Sequence, residues 1–160
     1  MKIFKDLKEI QPHIDKIISS IRHVSNLNKL GGEVADLIRG RTTAGYGCSK
    51  KGGNRQKLAP LKPNTIKIRR VKNLDGLTKP NKSNLTESGD MLDNITHRVS
   101  NNTVIILFAD KDQARKAYFH NRGTKRMRAR PFFNLTRAEL RNVERQLQRA
   151  RDEAIKALFS

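Results

Sequence analysis

The stretch HRVSNNTVIILF, residues 97–108, decides the fold. Its second half is rich in β-branched and aromatic residues, which pack well on a pleated surface. Ser100, Asn101 and Asn102 separate its two apolar runs, and residues of this type favour a tight turn. We therefore predict an antiparallel β-hairpin whose second strand, Val104 to Phe108, is buried on at least one face.

Helical patterns flank the predicted hairpin on both sides. A short helix is predicted within Thr86 to Ile95, and another within Asp112 to His120. Further on, Thr136 and Glu139 have the spacing of a capping box, in which each side chain bonds the backbone amide of the other residue. The long C-terminal helix that follows has one apolar face, formed by Leu140, Val143, Leu147, Ala150, Ala154 and Leu158.

The N-terminal part of the chain is predicted to be helical as well. Apolar residues recur at three- and four-residue steps from Ile10 to Val24, which is typical of an amphipathic helix. A second set, Leu27 to Ile38, crosses a pair of glycines, so that one bent helix or two helices are possible. Pro63 suits the first turn of a short helix ending at Val71. Together the patterns predict an α+β fold with a small antiparallel β-sheet.

Length and charge limit the organisation and the partners. The 160 residues suit a single domain, 1–160, in which the Gly-rich segment 40–57 is predicted to be a flexible basic loop or arm. The formal net charge of +19 calls for an anionic partner, and charge alone does not choose among nucleic acid, an acidic protein and an anionic membrane. Cys48 is the sole cysteine, which excludes an intramolecular disulfide. We expect neither a signal peptide nor a membrane span.

The basic residues are concentrated in two acid-free blocks. The first is interpreted as an arm that contacts a partner or DNA, and it contains Arg39, Arg41, Lys50, Lys51, Arg55, Lys57, Lys62, Lys67, Arg69, Arg70 and Lys72. The second is interpreted as a basic loop, and it contains Arg122, Lys125, Arg126, Arg128 and Arg130. Such segments can contact phosphates without reading sequence. Because aromatic residues make up only 5% of the chain, contact with a duplex or a protein is favoured over the stacking of single-strand bases.

The sequence contains no spacing typical of a catalytic or metal site. The four histidines are scattered along the chain, at His13, His23, His97 and His120. Acidic residues near the predicted sheet could hold a magnesium ion as in a nuclease, namely Asp90, Asp93, Asp110 and Asp112. Helix capping explains these acids more simply. We therefore expect a protein that is not an enzyme and that has no metal and no cofactor.

Four segments resemble a known family. They are Leu61–Thr65 (LKPNT), Leu85–Ile95 (LTESGDMLDNI), Tyr118–Thr124 (YFHNRGT) and Arg128–Phe133 (RARPFF). In order and spacing they resemble the tailed-bacteriophage virion morphogenesis proteins, which include neck and tail-completion proteins. The resemblance indicates a framework motif made of Gly89, Met91, Leu92, His120, Gly123, Pro131, Phe132 and Phe133.

The resemblance implies a structural virion protein that forms a homo-oligomeric ring in the head-to-tail connector, through which DNA passes. Its expected partners are further copies of itself, a portal- or adaptor-side connector protein and a tail or tail-terminator protein, with DNA in the channel as a further candidate and no membrane. The expected location is the head-tail junction of the virion, after synthesis in the host cytoplasm. The alternative is a sequence-independent nucleic-acid-binding protein, for which the charge is sufficient reason. A magnesium-dependent nuclease is a third and weaker hypothesis.

Overall fold

The computed structural model describes residues 26–49, 53–72, 81–101 and 103–158. The helix predicted from Ile10 to Val24 lies outside these residues. The described residues combine helices with two small antiparallel sheets of two strands each, which confirms the α+β prediction.

The first described helix, α1, covers residues 26–43. Four residues of the predicted apolar set are buried, namely Leu27, Leu30, Val34 and Ile38, whereas Leu37 is exposed. The helix continues through the two glycines at 31 and 32. Each glycine costs a helix about 1 kcal/mol relative to alanine, and the burial of the apolar stripe outweighs that cost. Over this range the pattern therefore corresponds to one helix.

The prediction of a flexible loop over 40–57 is wrong for its described part. Residues 40–43 belong to α1. Strands β1 (Tyr46–Cys48) and β2 (Arg55–Lys57) then pair as an antiparallel hairpin. The residues that join these strands, 50–52, lie outside the described part of the chain, and they include Lys50 and Lys51 of the predicted arm.

Gly47 allows this hairpin to pack closely against another segment of the chain. The backbone N–H of Cys48 donates a 3.0 Å hydrogen bond to the carbonyl oxygen of Pro131. A Cβ atom added at Gly47 would lie 2.1 Å from the same oxygen. Only glycine therefore allows β1 to approach the 131–133 segment this closely. The sequence pattern predicts a flexible loop here because glycine is typical both of loops and of close backbone contacts, and the sequence alone does not distinguish the two.

The central elements follow the predicted order. Helix α2 (Pro63–Val71) begins with a proline in its first turn, and the four-residue helix α3 (Asp90–Asp93) follows a glycine. Strands β3 (Ile95–Ser100) and β4 (Thr103–Phe108) pair antiparallel in a register from Ile95↔Phe108 to Ser100↔Thr103. The predicted hairpin is confirmed, but its second strand is only half-buried: Val104, Ile106, Leu107 and Phe108 are partly covered and Ile105 is exposed.

Two helices complete the fold. Asp110 caps the start of helix α4 (Lys111–Arg122), because its carboxylate accepts a hydrogen bond from the backbone N–H of Gln113. Helix α5 (Arg137–Leu158) starts with the predicted capping box. The Thr136 N–H donates to the Glu139 carboxylate at 2.7 Å, and the Glu139 N–H donates to the Thr136 hydroxyl at 3.2 Å. The capping pair is thereby confirmed.

The core lies where α1, α3, β3 and α4 meet the segment that leads into α5. Its centre is Phe132, Leu92 and Ile95, with exposures of 0%, 1% and 2%. The ring of Phe133 lies 4.8 Å from the ring of Phe108 on β4, so this pair joins the segment before α5 to the hairpin. Two of the segments that carry the family resemblance therefore supply the centre of the core.

Candidate functional site

A cavity of about 530 Å³ opens beside the beginning of α2. All four segments that carry the family resemblance contribute lining residues, among them Pro63, Leu85, His120 and Arg130. These positions are far apart in the sequence, and the fold brings them together around one volume. The cavity is the best-formed candidate site in the described part of the chain, because it combines an apolar wall with several convergent polar groups.

Arg130 forms one side of this cavity and is 6% exposed. Its Nε donates to the carbonyl oxygen of Ala59 at 3.0 Å and to the Ser83 hydroxyl at 3.2 Å. A terminal nitrogen of the same guanidinium donates to the carbonyl oxygen of Pro60 at 3.1 Å. Arg130 thus holds the chain before α2 against the loop after α4. It is not an exposed member of a basic loop, as the sequence had indicated.

Arg69 projects from α2 into the same region and is 4% exposed. One terminal nitrogen donates to the carbonyl oxygen of Lys82 at 3.0 Å, while its Nε has no hydrogen-bond partner. The Arg69 charge also acts on Arg130. Burial first, and this neighbouring positive charge second, lower the pKa of Arg130 from its usual value. The two guanidiniums therefore form a like-charged pair.

His120 completes the group from the end of α4. Its backbone carbonyl accepts a 2.7 Å hydrogen bond from the Arg130 N–H, and its Nδ1 is buried without a partner. Burial first, and the positive charge of Arg130 second, lower the pKa of His120. The imidazole is therefore neutral near pH 7 and adds no third positive charge there.

Arg41 has a structural role that corrects its assignment to a contact arm. Its side chain is 3% exposed and forms an ion pair with Glu139. The other terminal nitrogen donates to the carbonyl oxygens of Phe132 at 2.6 Å and Asn134 at 2.5 Å. The guanidinium thereby joins the end of α1 to the beginning of α5. Its charge is neutralised inside the protein and is not available to a partner.

Arg39 is also partly internal. It donates to the carbonyl oxygens of Leu92 at 3.2 Å and Ile95 at 2.9 Å, and it forms an ion pair with Asp36 on its own helix. Its side chain is 31% exposed. Arg39 therefore stabilises the contact of α1 with α3 and β3, although part of it reaches solvent.

Most of the remaining predicted basic residues are exposed. On β2 and α2 these residues are Arg55, Lys57, Lys62, Lys67, Arg70 and Lys72. In and after the last turn of α4 they are Arg122, Lys125, Arg126 and Arg128. Lys62 links the two groups, since its ammonium donates to the carbonyl oxygen of Arg126 at 2.6 Å. The two sequence blocks thus meet at the mouth of the cavity, which no local pattern could indicate.

The predicted framework residues occupy structural positions. Met91, Leu92 and Phe132 are core residues. Gly123 ends α4 with a φ of 77°, and an added Cβ would lie 2.7 Å from the backbone nitrogen of Ala129, so a side chain is excluded there. Gly89 precedes α3 with a φ of 88°. His120 differs from the rest because it lines the cavity as well.

The acids considered for a nuclease site are not gathered. Asp110 caps α4, and Asp90 and Asp93 lie exposed on α3. Within the residues that the structure describes, no three His, Cys, Asp or Glu side chains come close enough together to hold a metal ion. The same residues include no helix with the length and apolar character needed to cross a membrane.

Comparison of the chain with protein-family models, with curated proteins and with solved structures found no match. The geometry of the cavity and of the surrounding basic surface is therefore the basis for the functional proposal, together with the resemblance carried by the four segments.

Proposed function

We propose that the chain is a structural subunit of the head-to-tail connector of a tailed bacteriophage, acting as a neck or tail-completion ring and not as an enzyme. The observation that carries the proposal is the convergence of the four resembling segments on one cavity and its adjoining core. The convergence supports treating them as parts of one framework.

The exposed charge is consistent with a role in assembly. Lys67 and Arg70 are exposed on α2, Lys72 is exposed directly after it, and Arg126 and Arg128 are exposed at the cavity mouth. Lys62 and Arg130 tie this surface to the rest of the fold, since Lys62 donates to the carbonyl oxygen of Arg126 and Arg130 to those of Ala59 and Pro60. A ring subunit needs a fixed core and an exposed contact surface of this kind.

The test is the mass and shape of the purified protein. We expect light scattering to give a multiple of the 18.2 kDa chain mass, and electron microscopy to show rings or incorporation at head-tail junctions when particles of the encoding phage are added. The double variant Lys67→Glu, Arg70→Glu should reduce incorporation. The matched double variant Arg98→Glu, Lys111→Glu changes two exposed cations, on β3 and at the start of α4, that lie outside both acid-free blocks, and it should incorporate normally.

A second candidate, sequence-independent duplex binding, is favoured by the exposed cations of β2 and α2. A protein that neutralises several phosphates binds with a steep dependence on salt. A chain that stays monomeric, joins no particle and binds duplex DNA with such a dependence would replace the connector proposal with this one.

A further inference from the structure

Two buried guanidiniums share the cavity, and the described residues provide no ion-pair partner for either. Arg69 and Arg130 are 4% and 6% exposed, and neither forms an ion pair within the described residues. Glu87 also lines the cavity, but it pairs with Lys72 at 3.6 Å, and both of those side chains are about half exposed. Buried charges without a counter-charge destabilise a fold. The site therefore has a net positive charge that an anion would neutralise.

Two nitrogens of the lining residues are buried without a hydrogen-bond partner within the described residues, the Nε of Arg69 and the Nδ1 of His120. The Arg69 Nε–H is a donor and therefore calls for an acceptor, whereas Nδ1 of a neutral imidazole is a donor in one tautomer and an acceptor in the other. A buried donor without an acceptor costs about 1–3 kcal/mol, and native proteins contain few of them. Other nitrogens of the two arginines donate hydrogen bonds to the carbonyl oxygens of Ala59, Pro60 and Lys82. None of these bonds involves the Arg69 Nε or the His120 Nδ1.

The walls of the cavity define the kind of anion. Leu61, Leu85 and Met127 give it an apolar side, while Arg126 and Arg128 are exposed at its mouth. A free inorganic ion would leave the apolar side uncovered. With exposures of only 4% and 6%, Arg69 and Arg130 present little surface to a phosphate that is flanked by sugars on a wide duplex. A carboxylate at the end of an aliphatic stem fits both features.

We infer that this cavity is a docking site for an acidic side chain of a partner protein, an aspartate or glutamate flanked by aliphatic residues. The carboxylate forms charge-assisted hydrogen bonds with Arg69 and Arg130, and the aliphatic neighbours cover Leu61, Leu85 and Met127. The inference goes beyond the proposed function and does not depend on it, because it concerns the cavity of the isolated chain.

The experiment follows the Nε–H signals of the arginines by NMR in the full-length protein. The probe is the peptide acetyl-Leu-Glu-Leu-amide, and its neutral counterpart carries Gln in place of Glu. The signals of Arg69 and Arg130 should shift and saturate with the glutamyl peptide at a concentration about tenfold lower than with the glutaminyl peptide, as one added charged hydrogen bond implies. Inorganic phosphate and a duplex oligonucleotide are titrated separately.

The variant Arg69→Met tests the site directly. It removes one charge with little change in volume, and it should reduce the preference for Glu over Gln several-fold, because only Arg130 remains to bond the carboxylate. Its matched control is Arg145→Met, an exposed arginine of α5 that does not line the cavity, and this variant should keep the preference. If Arg69→Met does not fold, the double variant Arg126→Gln, Arg128→Gln at the mouth should still weaken glutamyl peptide binding several-fold.

Three outcomes would overturn the inference. Equal binding of the two peptides would show that the carboxylate is not recognised. If the arginine signals do not reach saturation with the glutamyl peptide, the cavity does not bind an acidic segment of this kind. Arg69 and Arg130 would then have a structural role alone. Stronger shifts with the duplex or with phosphate than with the glutamyl peptide would assign the site to phosphate groups instead.

Discussion

Replacement of Arg41 by methionine tests whether this residue belongs to the core or to a contact surface. Its guanidinium joins the end of α1 to Glu139 of α5, and it donates to two backbone carbonyls in the segment between Phe132 and Asn134. Arg41→Met keeps most of the side-chain volume while it removes all of these bonds. The variant therefore isolates their contribution to stability from that of packing.

The structure gives the expected size of the effect. Removal of one partner of a buried ion pair costs about 3–5 kcal/mol. The Glu139 side chain is 18% exposed and keeps its hydrogen bond from the Thr136 N–H, so its charge is not fully stranded. We therefore expect a loss near the lower limit, about 3 kcal/mol in the free energy of unfolding. For a chain of this size that corresponds to a decrease in Tm of roughly 6–12 °C.

Urea unfolding followed by circular dichroism measures this quantity. The control Arg145→Met removes an exposed arginine of α5 and should change the free energy of unfolding by less than about 0.5 kcal/mol. In the Arg41→Met background, Glu139→Gln should recover part of the loss because it removes the unpaired charge. A loss of under about 1 kcal/mol for Arg41→Met, together with impaired assembly, would refute the structural role and return Arg41 to the contact arm.

Three further predictions concern the core, the hairpin and the histidine. Phe132→Ala empties the centre of the core, where this ring is 0% exposed, and should lower the free energy of unfolding by about 3–5 kcal/mol in urea titrations. Gly47→Ala should cost about 1–3 kcal/mol in the same assay, because its Cβ would overlap the carbonyl oxygen of Pro131, whereas Gly40→Ala has open space and should be neutral or stabilising. The pKa of His120 is lowered in the folded protein, so as pH falls below about 6.5 the unfolded chain binds a proton first and stability decreases. His120→Gln should therefore show a shallower loss of stability than the parent chain between pH 7 and pH 5, and identical slopes would contradict the assignment.

The elements of the fold were predictable where the pattern is local. The hairpin of β3 and β4, the proline in the first turn of α2 and the capping box of α5 each depend on residues within a few positions of one another. Propensity and spacing suffice for such features. The α+β class followed from their order along the chain.

The prediction over 40–57 failed because its explanation lies elsewhere in the sequence. Gly47 and Cys48 pack against Pro131, more than eighty positions away, and a stretch of glycines viewed alone indicates a flexible loop. The prediction that the arginines of the two basic blocks are contact residues failed in part for the same reason. Whether an arginine is a contact residue or a structural one depends on the carbonyls around it, and the sequence does not show which carbonyls the fold brings near.

Identification of the cavity required both the sequence motifs and the three-dimensional structure. The resembling segments named Pro63, His120 and Arg130, yet nothing in them indicated that their side chains share one volume. Arg69 was assigned to the arm because it lies in a run of cations on α2. Its neighbours Lys67 and Arg70 are exposed, whereas Arg69 faces inward. The apolar pattern of α2 does not indicate this, because Ile68 and Val71 are exposed and Arg69 is the buried residue of the helix.

The formal charge of +19 therefore has three separate roles in this chain. Arg41 is neutralised by Glu139 and stabilises the fold. Arg69 and Arg130 are buried in the cavity wall, and their charge is the basis of the carboxylate site inferred above. The exposed cations, such as Lys67 and Arg70, create a field that extends to a large polyanion or an acidic protein surface. A partner that covers only this exposed surface leaves the charge of Arg69 and Arg130 uncompensated. An acidic protein neighbour that also inserts a carboxylate into the cavity would compensate both groups of charges.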